Sequence, residues 1–180
     1  TGGIASGKTS ASNYLKLKNS SYVFNADDVA KSILKNNKKI QRELINNFGQ
    51  EILKNEKIDS SHLANIAFRN KNNQKLLNDI FWPEINKSLF EDINKKKPFL
   101  KIYIVDAALI IESGLHSKLD FILLIESDKT NRLDRIEKRK KISIKQAEKI
   151  MKLQFSDDKK KEKADFTISN NGSINDLYDK

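Results

Sequence analysis

Gly2-Gly3-Ile4-Ala5-Ser6-Gly7-Lys8-Thr9 fits the pattern G-x-x-x-x-G-K-[ST], with Gly2, Gly7, Lys8 and Thr9 on its fixed positions. A polyphosphate needs hydrogen-bond donors arriving from several directions, and glycines let the backbone curl so that successive N–H groups point inward. A helix beginning near Gly7 and running from Ser10 to Lys18 would add unpaired N–H groups and its positive dipole end. Lys8 can then reach the β- and γ-phosphates, and the Thr9 hydroxyl can ligate Mg²⁺. The competing reading, a Gly-rich turn capped by Ser6, accounts for neither Lys8 nor the apolar helix that follows. The stretch therefore points to a bound nucleoside triphosphate.

Working outward, the chain alternates strands and helices. Tyr22-Val23-Phe24 is a short buried-type strand that ends at Asn25-Ala26-Asp27-Asp28, and Val29, Ile33 and Leu34 follow at helical spacing. Between about 38 and 97 the apolar residues keep helical spacing, as in Ile40, Leu44, Ile45 and Phe48. Asp59 or Ser60 is placed to cap the middle helix of this block. Trp82-Pro83 is expected to interrupt a later helix or to sit in its first turn, and Lys95 to Pro98 to form a solvated turn. Ile102 to Val105 ending in Asp106, Phe121 to Ile125, and Phe166 to Ile168 are further strands. Charged helical sequence fills 129–163, restarting at Ser143, and Ser173 opens a final helix.

This pattern predicts an α/β protein, a phosphate-loop-type parallel sheet flanked by helices, with an all-helical insertion and a helical lid at about 132–162. The whole of 1–180 reads as one domain. Ligands in such sheets sit beyond the carboxyl ends of the strands, which brings Asp27, Asp106 and Asn170 toward the loop. A strand is expected ahead of Thr1 to carry the loop, and the final helix is expected to continue beyond Lys180.

Composition narrows the classes. Hydrophobic residues at 38% and charged residues at 32% suit a packed globular domain, and no apolar run approaches membrane-spanning length. There is no cysteine, hence no thiolate chemistry, and His62 and His116 form no metal-ligand pattern. The net charge of +10 invites a nucleic-acid reading. Arginine, however, is limited to Arg42, Arg69, Arg132, Arg135 and Arg139, and the lysines are scattered rather than gathered on an aromatic-rich face. A polyanionic small substrate explains part of the charge better.

Four blocks carry a family resemblance. Thr1 to Thr9 is similar to T-G-G-I-G-S-G-K-S, and Asn25-Ala26-Asp27 to D-A-D. Asp106 to Ser113 resembles D-V-P-L-L-F-E-S, and Ala164 to Gly172 resembles A-D-x-V-I-D-N-N-G. Together, in this order and with a helical insertion between the second and third, they resemble dephospho-CoA kinase across essentially the whole chain. The resemblance implies ATP and Mg²⁺, with dephospho-CoA as acceptor, and a cytoplasmic monomer that uses neither nucleic acid nor membrane. It implies ATP contacts from Gly3, Ala5, Ser6, Gly7, Lys8, Thr9, Ser10, Arg135, Arg139 and Asn170, with Thr9 on the metal. Asp27 and Asp106 would meet the second substrate, and Lys8, Asp27 and Arg139 would carry the catalysis.

The departures fall mostly where that second substrate would dock. Ala5 replaces a loop glycine, which is tolerable if it keeps φ below zero. Asn25 replaces an aspartate, Trp82 to Asn86 stand where the family has H-P-x-I-R, Ala108 replaces a proline and Lys140 an acid.

Each assignment has a plainer rival. Asp27 would hold the attacking hydroxyl and accept its proton, but Asp27 or Asp28 could instead cap the next helix. Asp106 would order Mg²⁺ or orient the acceptor, unless it caps a helix. Arg139, with Arg135 one turn earlier, suits a lid whose guanidinium forks meet phosphate oxygens. Asn170 could read an adenine edge, although Asn-Asn-Gly is ordinary turn sequence. Another small-molecule or nucleotide kinase, or a nucleic-acid-associated ATPase, would share the loop; no N-K-x-D motif supports a GTPase.

Overall fold

The computed structural model describes residues 1–17, 21–96, 100–140 and 142–180. The expected helix end at Lys18 and the Lys97-Pro98 half of the predicted turn lie outside the described residues. The chain divides into two compact units, Thr1–Phe24 with Lys97–Lys180, and Asn25–Lys96.

The first unit is built around strands. Helix α1 (Lys8–Lys16) follows the phosphate loop, and β1 (Ser21–Asn25) pairs with β4 (Ile102–Asp106). β5 (Leu123–Glu126) pairs in parallel with β6 (Phe166–Ser169), Leu124 facing Thr167 and Ile125 facing Ile168. Thr1 extends this ladder: its backbone nitrogen donates to Leu123 O at 2.7 Å, and Ile125 N–H donates to Thr1 O at 2.9 Å. Such offset bonds are those of a parallel neighbour, so the loop springs directly from the edge of β5. Leu124 and Ile125 within β5, and Ile122 just before it, are buried, as their run of branched side chains predicts. Phe121, expected inside this strand, lies before it and is 71% exposed.

The charged stretch after β5 is three helices, α6 (Lys129–Arg139), α7 (Ile144–Leu153) and α8 (Asp157–Lys161), with α9 (Ile174–Asp179) closing the chain. Ser143 caps α7 as expected: its hydroxyl accepts from Gln146 N–H while the Gln146 side chain takes Ser143 N–H. Ser173 and Asp176 do the same for α9.

The second unit packs α2 (Ala26–Asn36), α3 (Lys38–Phe48) and α4 (Ser60–Ala67) against α5 (Lys71–Lys96) around Leu44, Leu63, Ile85 and Leu89. Two expectations are corrected here. The block is helical but contains a short antiparallel hairpin, β2 (Leu53–Lys54) with β3 (Lys57–Ile58). Its turn residues Asn55 and Glu56 both have positive φ, and glutamate is no turn signal. Nor does Trp82-Pro83 break or begin a helix, because α5 runs through Pro83 for 26 residues. Pro83 is exposed while Ile80, Phe81, Ile85 and Leu89 are buried, so burial of that face outweighs the one backbone bond that proline removes.

Candidate active site

The phosphate loop is braced from several elements of the first unit. Gly7 is the N-cap of α1 with φ 107°, a conformation open to glycine, and a Cβ there would collide with the Asn170 amide. Lys8 folds back so that Nζ donates to Gly3 O at 3.3 Å, and Ser6 N–H shares the same oxygen at 3.2 Å. Ser6 is fully buried but does not cap the helix through its side chain. Thr9 is exposed on the first turn of α1 and Ser10 is half-buried.

Ala5 has φ 60°, in the left-handed region, which overturns the expectation of a negative φ. An L-residue there strains its Cβ against the following carbonyl. The loop's curl evidently requires that conformation whatever residue occupies it. Ala5→Gly is expected to raise stability by about 0.5–1 kcal/mol, strain relief outweighing the extra freedom glycine gives the unfolded chain. Denaturant melts of the two proteins check this.

Asp106 ends β4, is 7% exposed and accepts from Ser12 Oγ at 2.9 Å. It caps no helix.

Arg135 is placed differently from a free lid cation. Its Nη1 lies 3.3 Å from Ala5 O, 3.4 Å from Ser6 O and 3.2 Å from Ser127 Oγ, and its Nη2 donates to Asn170 O at 2.8 Å. Burial, then the nearby Arg139 charge, pull its pKa below the ordinary guanidinium value. Asn170 is buried, and its amide donates to Ser6 O at 2.8 Å. Arg135 and Asn170 therefore clamp the outer carbonyls of the loop. Arg139 is exposed at the last position of α6.

Asp27 belongs to the second unit, in the first turn of α2, and is exposed. The cap of that helix is Asn25, whose side chain accepts from Asp28 N–H at 3.0 Å. Neither aspartate caps it, and the Asn25 departure keeps an effective capping oxygen.

Several partners escaped the sequence reading. Arg132, one turn before Arg135 on α6, is 14% exposed and lies so close to Gly3 that a Cβ there would collide with its Nη1. Asp157 lies 3.7 Å from it. The Arg132/Arg135/Arg139 spacing was the available signal. Fully buried Lys160 pairs with Glu112 at 3.0 Å and donates to Ala108 O at 2.8 Å, while Glu112 also accepts from Phe155 N–H at 2.9 Å. Nothing in the local sequence announces that pair.

Burial pushes the Asp157 carboxyl above its ordinary value, against the pull of Arg132 and Lys160. A raised carboxyl contributes stability below its unfolded pKa of 3.8 and loses it as pH rises through the folded value. Asp157→Asn is therefore expected to melt slightly above the parent at pH 7, by less than about 1 kcal/mol at this partly exposed site. The gain should shrink as pH falls toward the ordinary carboxylate range, which parallel thermal melts would show.

The family model described as dephospho-CoA kinase matches residues 1–176. The chain belongs to the dephospho-CoA kinase family. A dephospho-CoA kinase from Fusobacterium nucleatum is 41% identical over 100% of this chain and 92% of its own. One from Arabidopsis thaliana is 33% identical over 99% of this chain and 77% of its own. The structure of the dephospho-CoA kinase from Campylobacter jejuni superposes with a TM-score of 0.63 at 29% identity, over 99% of this chain and 89% of that one. A Thermus thermophilus protein shares the fold at TM-score 0.79 and 22% identity, over 98% of this chain and 88% of that one. As a member of this kinase family the chain uses ATP as co-substrate. Among the described residues no helix is long and apolar enough to cross a membrane.

Proposed function

We propose that this chain transfers the γ-phosphoryl group of ATP to the ribose 3′-hydroxyl of dephospho-CoA, releasing ADP and CoA. The observation that carries the reading is the family match over residues 1–176.

Phosphoryl transfer has a loose transition state, so positioning and charge neutralisation supply most of the catalysis. Loop N–H groups and Lys8 hold the β- and γ-phosphates. Asp27 receives the proton of the attacking hydroxyl, Asp106 orients the acceptor, and Arg139 on the exposed end of α6 closes over the phosphate oxygens. Arg135 and Asn170 act on the nucleotide through the loop carbonyls they hold. The donors at the site, the Thr9 hydroxyl and the Asp106 carboxylate, fit Mg²⁺, a hard cation that takes few protein ligands beside phosphate oxygens and water. When bound it would neutralise part of the triphosphate's charge. The protein acts as a cytoplasmic monomer without nucleic acid.

ATP turnover with a panel of acceptors, with and without nucleic acid, tests this. Turnover should require dephospho-CoA and ignore nucleic acid. Faster turnover of another nucleotide, or stimulation by nucleic acid alone, would refute it.

A further inference from the structure

One peptide unit of the phosphate loop is held from both sides. The oxygen of the Gly3–Ile4 peptide accepts from Lys8 Nζ at 3.3 Å and from Ser6 N–H at 3.2 Å. The nitrogen of the same peptide donates to Gln154 Oε1 at 3.0 Å, across 150 residues of sequence. Glycine precedes this peptide, so little in the local backbone opposes its rotation. Rotation would swing the oxygen that receives Lys8 away from it.

Gln154 is well supported for such a task. It is the C-cap of α7, its own N–H donates to Ile150 O at 3.1 Å, and the next N–H, of Phe155, donates to Glu112. Glu112 is in turn fixed by the fully buried Lys160. The amide oxygen of Gln154 thus arrives at Ile4 from a backbone pinned on both sides. A peptide whose N–H is engaged is also a stronger acceptor at its oxygen, since linked hydrogen bonds polarise one another.

We propose that Gln154 is a positioning residue for phosphoryl transfer: by fixing the plane of the Gly3–Ile4 peptide, it sets where the Lys8 ammonium rests against the triphosphate. The proposal rests on the ATP-dependent reading above and adds a residue that acts through Lys8. It also links the end of α7 to the loop, so that a shift of α7 alters the placement of the lysine.

A double-mutant cycle tests it. Gln154→Met keeps the side-chain volume and removes the oxygen; it is made in the parent and in Lys8→Ala, with ATP affinity read by calorimetry. In the parent, ATP should bind about tenfold more weakly and kcat should fall, with the KM for dephospho-CoA unmoved. In the Lys8→Ala background the same change should alter ATP affinity less than about twofold, because the group it positions is gone. Equal losses in both backgrounds, or none in the parent, would overturn the role of Gln154 while leaving ATP binding intact. Absence of ATP binding by the parent would instead overturn the nucleotide reading itself. Gln154→Glu retains an oxygen for the Ile4 N–H and should hold kcat within about threefold of the parent. A folded glutamate variant as impaired as the methionine variant overturns the proposal, and decides alone if the methionine variant does not fold.

Discussion

Lys8→Ala is expected to lower kcat/KM for ATP by roughly 10²–10³, with losses in both ATP affinity and kcat, the scale seen when one preorganised donor to developing charge is removed. Lys8 Nζ is parked on Gly3 O. A lysine at this point of the loop meets the β- and γ-phosphates both before and during transfer. One cation thus serves the ground state and the transition state, and its removal should appear in both constants. The fold should survive, because the loop keeps its Arg135 and Asn170 clamps on Ala5 and Ser6. Steady-state kinetics with a calorimetric ATP titration and a thermal melt separate these effects. A variant that binds ATP normally and turns over normally would remove Lys8 from the mechanism.

Asp27→Asn should leave ATP affinity nearly unchanged and lower kcat by about 10²–10⁴, the usual contribution of a positioned base. The substitution keeps shape and hydrogen bonding while deleting the group that takes the hydroxyl proton. Asp28→Asn is the matched control. Asp28 lies on the exposed surface with Lys31 2.8 Å away, a pair worth little in water. The cap of α2 comes from Asn25, so neither change should unfold the helix. If Asp27→Asn keeps full turnover and Asp28→Asn loses it, the catalytic carboxylate has been assigned to the wrong neighbour.

What could be read in the sequence was whatever local chemistry specifies. The phosphate loop, the strand ending at Asp106 and the caps at Asp59, Ser143 and Ser173 depend on residues within a few positions of each other. What escaped depends on distant partners or on competing energies. Pro83 argues for a break, but four buried neighbours on α5 carry the helix past it. Glu56 argues against a turn, yet the hairpin holds it at positive φ. Ala5 argues for negative φ, and the loop overrides it. Gln154 on Ile4, Lys160 on Glu112 and Arg132 at Gly3 bridge 48 to 150 positions, and no spacing rule reports them. For Arg135, the one-turn spacing from Arg139 put both on one helix, while its fork's contacts with the carbonyls of Ala5, Ser6 and Asn170 join distant parts of the chain.

The most direct test of the central claim is the position of the transferred phosphate. The protein is incubated with ATP, Mg²⁺ and dephospho-CoA, and the product is analysed by mass spectrometry and NMR. The reading predicts ADP in equal amount to CoA carrying its new phosphate on the ribose 3′-oxygen. Unchanged dephospho-CoA beside rapid phosphorylation of a different acceptor would contradict it.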